Sequence, residues 1–306
     1  MGRYILKRFW HGVIVIFGVT IIVFVVTRMV GDPVSVMLPL EATVEQRAAF
    51  EKQLGLDRPI PIQFIDFLKD IARLDFGDSL WQHRPAMEIV FEKLPLTVGL
   101  VFIGIGLAFV LSIPLGIIAA LRPGGITDRS TIFVSLIGLS IPQFWLGLLL
   151  IVIFAVQLGW LPTSGTATPA HIILPAITFA LPALARMVMM VRSAMIDELN
   201  QQYVKTGYAK GIPFVRVVGL HAMRNAALPV VTLSGWELIR GLAGYSVVVE
   251  TVFAWPGLGL TAIQAIERDD LILLQAIVFT VAIIVVLINI LMDVAYTIID
   301  PRLKLE

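Results

Sequence analysis

Long apolar runs without charge, separated by short charged segments, set the rhythm of this chain. The first extends from Phe9 to about Val30, directly after Arg3, Lys7 and Arg8. A bilayer core about 30 Å thick needs roughly 20 helical residues at 1.5 Å each, so this run predicts a membrane-crossing helix. It is too long for a signal-peptide core, and no small-x-small cleavage site follows it, so it reads as a retained first span. A second run covers Leu94 to Leu121. The uncharged stretch from Ser130 to Ala170 exceeds one crossing and must contain a turn, which Gly159-Trp160-Leu161-Pro162-Thr163-Ser164-Gly165 supplies. That leaves a third span near 132 to 157 and a fourth near 171 to 193. A fifth runs from about Ala226 to Val249, and a sixth, Leu271 to Met292, carries no charge. The pattern predicts an all-α integral membrane protein of roughly six spans, with both termini on one side.

Between the first two spans, residues 31–93 read as a small external helical region. Thr43-x-x-Gln46 fits a capping box ahead of Ala48, Phe50 and Leu54, and Ile60, Phe64, Phe67, Leu68 and Ile71 recur at helical spacing before Gly77. Two short amphipathic helices are expected there, either lying on the membrane surface or packing on helix ends. The chain thus divides into residues 1–30, the external region 31–93, and a core of 94–306 that contains a cytoplasmic segment at 194–228. No internal repeat is visible.

Composition agrees with the pattern: 58% of the 306 residues are hydrophobic, 15% are charged, and the mean hydropathy is +0.91. The net charge of +1 gives no sign of nucleic-acid binding, and the absence of cysteine excludes disulfides and thiolate metal sites. Orientation follows from Arg122 and Arg129 after span two and from Arg192, Lys205, Lys210, Arg216 and Arg224 after span four, which make both loops cytoplasmic. Segment 159–170 has no basic residue, and 250–270 has only Arg268 against Glu250, Glu267, Asp269 and Asp270, as expected outside. Arg302 and Lys304 place the C-terminus inside. Histidines 11, 83, 171 and 221 are scattered singly, and neither H-E-x-x-H nor G-x-S-x-G occurs, so no catalytic or metal-ligating residue is predicted. With no G-x-x-x-x-G-K-[ST] loop either, any ATP that drives this protein is bound by another chain.

The most informative polar segment is Tyr203-Val204-Lys205-Thr206-Gly207-Tyr208-Ala209-Lys210-Gly211-Ile212-Pro213, which continues to Leu228-Pro229. It reads as two short helices: Val204 and Tyr208 share a face, Gly207 and Gly211 leave another bare for close backbone approach, and Pro213 suits the first turn of the second. Such a unit suits docking into a partner's groove. The alternative is that Lys205, Lys210 and Arg216 only fix orientation beside anionic lipid. Within the fifth run, Glu237 and Arg240 lie three residues apart on one helix face, as a pair on a substrate path or a packed structural pair. Pro114, Ser140, Pro142 and Gln143 interrupt spans two and three, lining a pathway or fitting neighbours. Trp255-Pro256-Gly257 reads as a turn at the outer interface, with Trp255 as an anchor.

Taken in order, Gly31-Asp32-Pro33, Leu54-Gly55-Leu56-Asp57-Arg58-Pro59, Asp75-Phe76-Gly77-Asp78-Ser79, Gly159-Trp160-Leu161-Pro162 and Ile173-Leu174-Pro175-Ala176 form a series of motifs. The loop around Gly211, then Glu250-Thr251-Val252-Phe253-Ala254-Trp255-Pro256-Gly257-Leu258-Gly259, and Asp300-Pro301-Arg302 complete it. In this series the chain resembles the permease subunits of bacterial binding-protein-dependent ABC importers of the peptide and nickel type. The resemblance implies a type I importer transmembrane fold in the bacterial inner membrane. It also implies a homologous second permease, two ATP-binding subunits that hold ATP and magnesium, and an external binding protein. Tyr203, Lys205, Thr206, Gly207, Ala209, Lys210, Gly211 and Arg216 correspond to the family's coupling segment, which docks on the ATPase. The generic motif there is E-A-A-x-x-x-G; aligned on Gly211, this chain has Lys205, Thr206 and Gly207 at the first three positions, and Leu228-Pro229 lies further on than the generic spacing. The implied substrate path includes Gln143, Glu237 and Arg240, and Trp255, Pro256 and Gly257 form an implied external gate. Di- or oligopeptides are the expected cargo, with nickel chelates, glutathione, opines and oligosaccharides as alternatives. A stand-alone secondary transporter or channel is the rival class; it needs no ATPase and often shows repeats.

Overall fold

A computed structural model describes residues 2–30, 43–53 and 57–299, and among these the regular structure is helical throughout. Gly31-Asp32-Pro33, Leu54-Gly55-Leu56 and the C-terminal Asp300-Pro301-Arg302 with Lys304 lie outside the described residues. Helix α1 (Gly2–Val30) packs along α13 (Leu271–Ile299), where a Cβ on Gly12 would stand 2.6 Å from Val286. Arg8 Nε lies 3.0 Å from Asp293, so the start of α1 and the end of α13 share one end of the bundle.

The two outer helices form where the sequence places them. The expected capping box opens α2 (Val44–Gln53): the Thr43 N–H donates to Gln46 Oε1 at 2.9 Å, and the Gln46 N–H donates to Thr43 Oγ1 at 3.2 Å. Helix α3 (Ile60–Ala72) has its apolar face on α1, with the Phe64 and Phe67 rings 5.0 and 5.4 Å from Phe24. Of the two expected modes, α3 adopts packing on a helix. The following Asp75–Ser79 motif is a brace. Gly77 turns the chain at φ +89°, Phe76 packs on Phe279 at 5.4 Å, and the Ser79 hydroxyl donates to buried Asp270 at 2.5 Å.

Helix α4 (Ala86–Ala120) begins eight residues before the apolar run and packs closely on α7 (Ile173–Leu199). Small residues set the approach, since a Cβ on Gly104 would meet Phe179 at 2.8 Å and one on Gly116 would meet Val191 at 2.5 Å. The third expected span, 132 to 157, is not one straight helix. It consists of α5 (Ile126–Ser140) and α6 (Gln143–Leu150, prolonged by a π-helical turn, Ile151–Gln157), bent by 99°. Pro142 is the cause: its ring forces Ile141 into extended backbone (φ −80°, ψ 123°), and it has no N–H to carry the helix onward.

Beyond α7, α8 (Gln202–Ala209), the single turn α9 (Phe214–Arg216) and a π-helical turn (Val217–Ala222) lead to α10 (Met223–Arg240). The expected fifth span is interrupted, because another π-helical turn, Gly241–Tyr245, separates α10 from α11 (Ser246–Val252), with Gly244 at φ 160°. Residues 250–270 are no loop either: α12 (Leu258–Glu267) folds back against α11. Among the described residues four helices are long and apolar enough to cross a membrane, and a fifth crossing results if the bent α5 and α6 pair counts as one. Leu100, Val101, Leu174, Phe179, Met187, Leu242, Phe253 and Trp255 are buried together where α4, α7 and the α10–α12 region meet.

Candidate functional site

The segment around Gly211 is ordered by its own backbone. Helix α8 ends with Gly211 in the left-handed region, φ +75°. Its N–H donates to the Tyr208 carbonyl at 2.9 Å and that of Ile212 to the Gly207 carbonyl at 3.1 Å, the paired bonds of a Schellman cap. Glycine is therefore required at 211 by conformation; close approach plays no part, since a Cβ there meets nothing within 4 Å. Gly207 is buried on the π-helical turn, with Val217 at 3.5 Å from its would-be Cβ. The expected common face of Val204 and Tyr208 divides: Val204 is buried, whereas Tyr208 is exposed and stacks on Phe214 at 6.5 Å. Pro213 precedes the first turn of α9 as its cap, with φ −57° and ψ 141°.

Side-chain ties fix this unit to its neighbours. The Tyr203 hydroxyl donates to Glu198 Oε2 at 2.5 Å, and Asn225 Nδ2 donates to the same oxygen at 3.4 Å, linking α8, α7 and α10. Partial burial, reinforced by Glu198, pushes the Tyr203 phenol up, so it keeps its proton and its donor role at neutral pH. The outward surface presents Lys205, Thr206, Tyr208, Ala209 and Lys210, then Phe214, Val215 and Arg216, all exposed. Aromatic and basic groups thus share one small ordered face.

The expected ion pair of Glu237 with Arg240 is present, but Glu237 has a closer partner. Arg186 of α7 holds it: its Nε and Nη2 donate to the two carboxylate oxygens at 2.6 and 2.8 Å. Arg240 Nη1 stands 3.8 Å from Glu237, and its guanidinium lies over the Tyr245 ring, 4.5 Å from the centroid, with Nη2 donating to the Tyr245 hydroxyl. A buried carboxylate left without its cation costs about 3–5 kcal/mol, which the fork-to-fork pair avoids for Glu237. Sequence reasoning missed Arg186, although an arginine inside the apolar run 171–193 was its signal. Arg192 belongs to α7 as well, not to a loop. It grips buried Asp128 at the start of α5 through Nε and through Nη2, the latter at 2.7 Å, and Asp128 also accepts the Gly124 N–H at 2.8 Å.

The turn after α11 is built around a buried carboxylate that charge counting placed outside. Glu250 is wholly buried and accepts the Thr97 hydroxyl at 2.6 Å and the Leu260 N–H at 3.0 Å. Any Cβ at Gly257 would stand 2.5 Å from Glu250 Oε1, and one at Gly259 would stand 2.7 Å from Val247 Cα, so both glycines of the motif are required by close approach. Trp255 is not an interfacial anchor: its ring is buried and Nε1 donates to the Leu96 carbonyl at 3.1 Å. Pro256 completes the turn. Gln143 is half-buried at the start of α6, beside the bend. The structure joins Glu237 to Arg240 loosely. The coupling segment, the 255–257 turn and the α6 start are carried by other elements. Among the described residues no group of histidines and carboxylates is placed to hold a metal, and no buried polar side-chain atom lacks a hydrogen-bond partner.

This combination, an all-helical membrane bundle with an ordered polar unit between two apolar helices, is that of a transport subunit. The family described as "Binding-protein-dependent transport system inner membrane component" matches residues 112–305, and its N-terminal companion, "Binding-prot-dependent transport system membrane comp, N-term", matches residues 1–101. The chain belongs to this family of ABC importer permeases; it is a multi-pass inner-membrane transport subunit and not an enzyme. It is 37% identical over 99% of its length to the whole of the oligopeptide transport system permease protein AppB of Bacillus subtilis (strain 168). Identity is 35%, with 99% of both chains covered, to the di/tripeptide transport system permease protein DppB of Pseudomonas aeruginosa (strain UCBPP-PA14). The glutathione transport system permease protein GsiC of Escherichia coli (strain K12) is likewise 35% identical over 99% of both chains. In fold, 70% of this chain matches 97% of a chain in an inward-facing MetNI methionine ABC transporter structure, with 22% identity and a TM-score of 0.56.

Proposed function

We propose that this chain forms half of the translocation pathway of an ATP-driven importer of di- or oligopeptides, beside a homologous second permease. Two ATPase subunits that bind ATP and magnesium dock on the cytoplasmic segment, and an external binding protein delivers cargo to the opposite side. The observation that carries this reading is the α8–α9 unit. It is short, capped at Gly211 and tied to α7 through Tyr203 and Glu198, and it follows directly on α7, whose Arg186 holds Glu237. Motion imposed on such an element is transmitted, whereas a slack loop would dissipate it. On the same reading both termini are cytoplasmic, Gln143, Glu237 and Arg240 lie along the path, and the Trp255-Pro256-Gly257 turn closes its outer end. Glutathione, itself a tripeptide-like anion, is a second cargo favoured by the full-length likeness to GsiC.

Co-purification followed by reconstitution tests this. The tagged chain should bring down a second permease and ATPase subunits, and proteoliposomes holding the complex should take up labelled peptide only with ATP and the binding protein. Uptake by this chain alone would identify a secondary transporter or channel instead.

A further inference from the structure

Two guanidiniums meet one carboxylate among the apolar helices. Arg186 takes both Glu237 oxygens, at 2.6 and 2.8 Å, which leaves Arg240 at 3.8 Å, beyond hydrogen-bonding range of that carboxylate. Arg240 donates instead to the Tyr245 hydroxyl and lies over its ring, a partner that holds a cation without neutralising it. With Arg186 and Arg240 positive and Glu237 negative, the cluster retains one net positive charge. That charge is accessible, because the Arg240 side chain is 38% exposed against 5% for Glu237. It borders the π-helical turn Gly241–Tyr245, and such turns recur at functional sites. The half-exposed Tyr245 ring lies against it, and Trp236, one helical turn before Arg240 on α10, is also exposed.

We infer that Arg240 is a carboxylate receptor on the translocation path, taking the C-terminal carboxylate of a peptide as it passes. This rests on the import reading above. The planar guanidinium fork matches a carboxylate through two parallel hydrogen bonds, whereas a peptide's ammonium end is repelled by the net positive charge. An acidic side chain of the second permease offers the same chemistry, and the experiment separates the two sources.

The whole complex, in proteoliposomes, is supplied with a tripeptide or its C-terminal amide by a binding protein first shown to bind both. Wild type should import the acid about tenfold faster than the amide, a difference of about 1.4 kcal/mol. Arg240→Gln should lower acid uptake about tenfold, to the rate of the amide, while amide uptake and assembly are unchanged; Arg240→Lys should keep part of the preference. Equal losses for both peptides, or undiminished discrimination in Arg240→Gln, overturns the assignment. So does dissociation of the two permeases in that variant, which would give the carboxylate to the partner. Wild-type complex that imports neither peptide would instead sink the import reading itself, a result distinct from import without discrimination.

Discussion

Single residues in this chain owe their identity to two different constraints that look alike in the sequence. Gly211 is set by backbone conformation and has open space around it, while Gly257 and Gly259 have no room for a methyl group beside Glu250. The distinction gives Gly211 substitutions a definite order. Asparagine tolerates the left-handed region best among residues with a Cβ, and a β-branched residue worst, at a cost of about 1–2 kcal/mol. Gly211→Asn should therefore retain most binding-protein-stimulated transport, and Gly211→Val should lose most of it, with both variants present in the membrane at normal levels. Uptake measured beside immunoblotted abundance checks this; equal activity in the two would mean the cap is dispensable.

At the scale of elements, the bend between α5 and α6 depends on one residue. Pro142→Ala restores an N–H and frees Ile141 to become helical, so the 99° angle should open. Because the chain has no cysteine, paired labels at positions 130 and 155 can report the change by electron-spin distance measurement without removing native thiols. An unchanged distance would assign the bend to packing of α6 on α11, where Gly147 meets Val252 and Phe253. Elements with long apolar runs, α1, α4, α7 and α13, were legible in the sequence, as were the capping box at Thr43 and the turn at Gly159. The bend was not, since a proline inside an apolar run is compatible with either a kinked span or a sharp corner. Nor were the places of Glu250 and Asp270. Counting charges presumes that a carboxylate marks water, but both are buried, with hydroxyls and backbone N–H groups as partners. Among the membrane charges, spacing brought out Glu237 and Arg240 as neighbours and could not reveal Arg186, 51 residues earlier in the chain.

In the molecule as a whole, α7 carries polar ties along its length. Arg186 grips α10, Arg192 grips α5, and Glu198 anchors Tyr203 of α8. A push on α8 therefore reaches three helices through one. Cutting the middle tie should separate ATP hydrolysis from transport. Arg192→Gln leaves buried Asp128 with the Gly124 N–H and the weaker influence of Arg129 but no guanidinium bonded to it; breaking a buried pair in this way costs about 3–5 kcal/mol. The lower figure applies here, because the Arg192 side chain is 24% exposed. The expected outcome is a severalfold drop in peptide imported per ATP hydrolysed, measured in proteoliposomes from the ratio of uptake to phosphate release. A parallel fall in both rates would point to simple loss of folded complex.

The pairing of α1 with α13 bears on how the protein is made. Helix α1 finds its main helical neighbour in α13, and Arg8 meets Asp293 only after all the intervening residues have been made. At about 5–20 residues per second, roughly a quarter of a minute or more separates the two. During that interval α3 is already made, and its Phe64 and Phe67 contact Phe17 and Phe24 of α1. Synthesis itself thus imposes an order on assembly, in which the bundle closes its rim last.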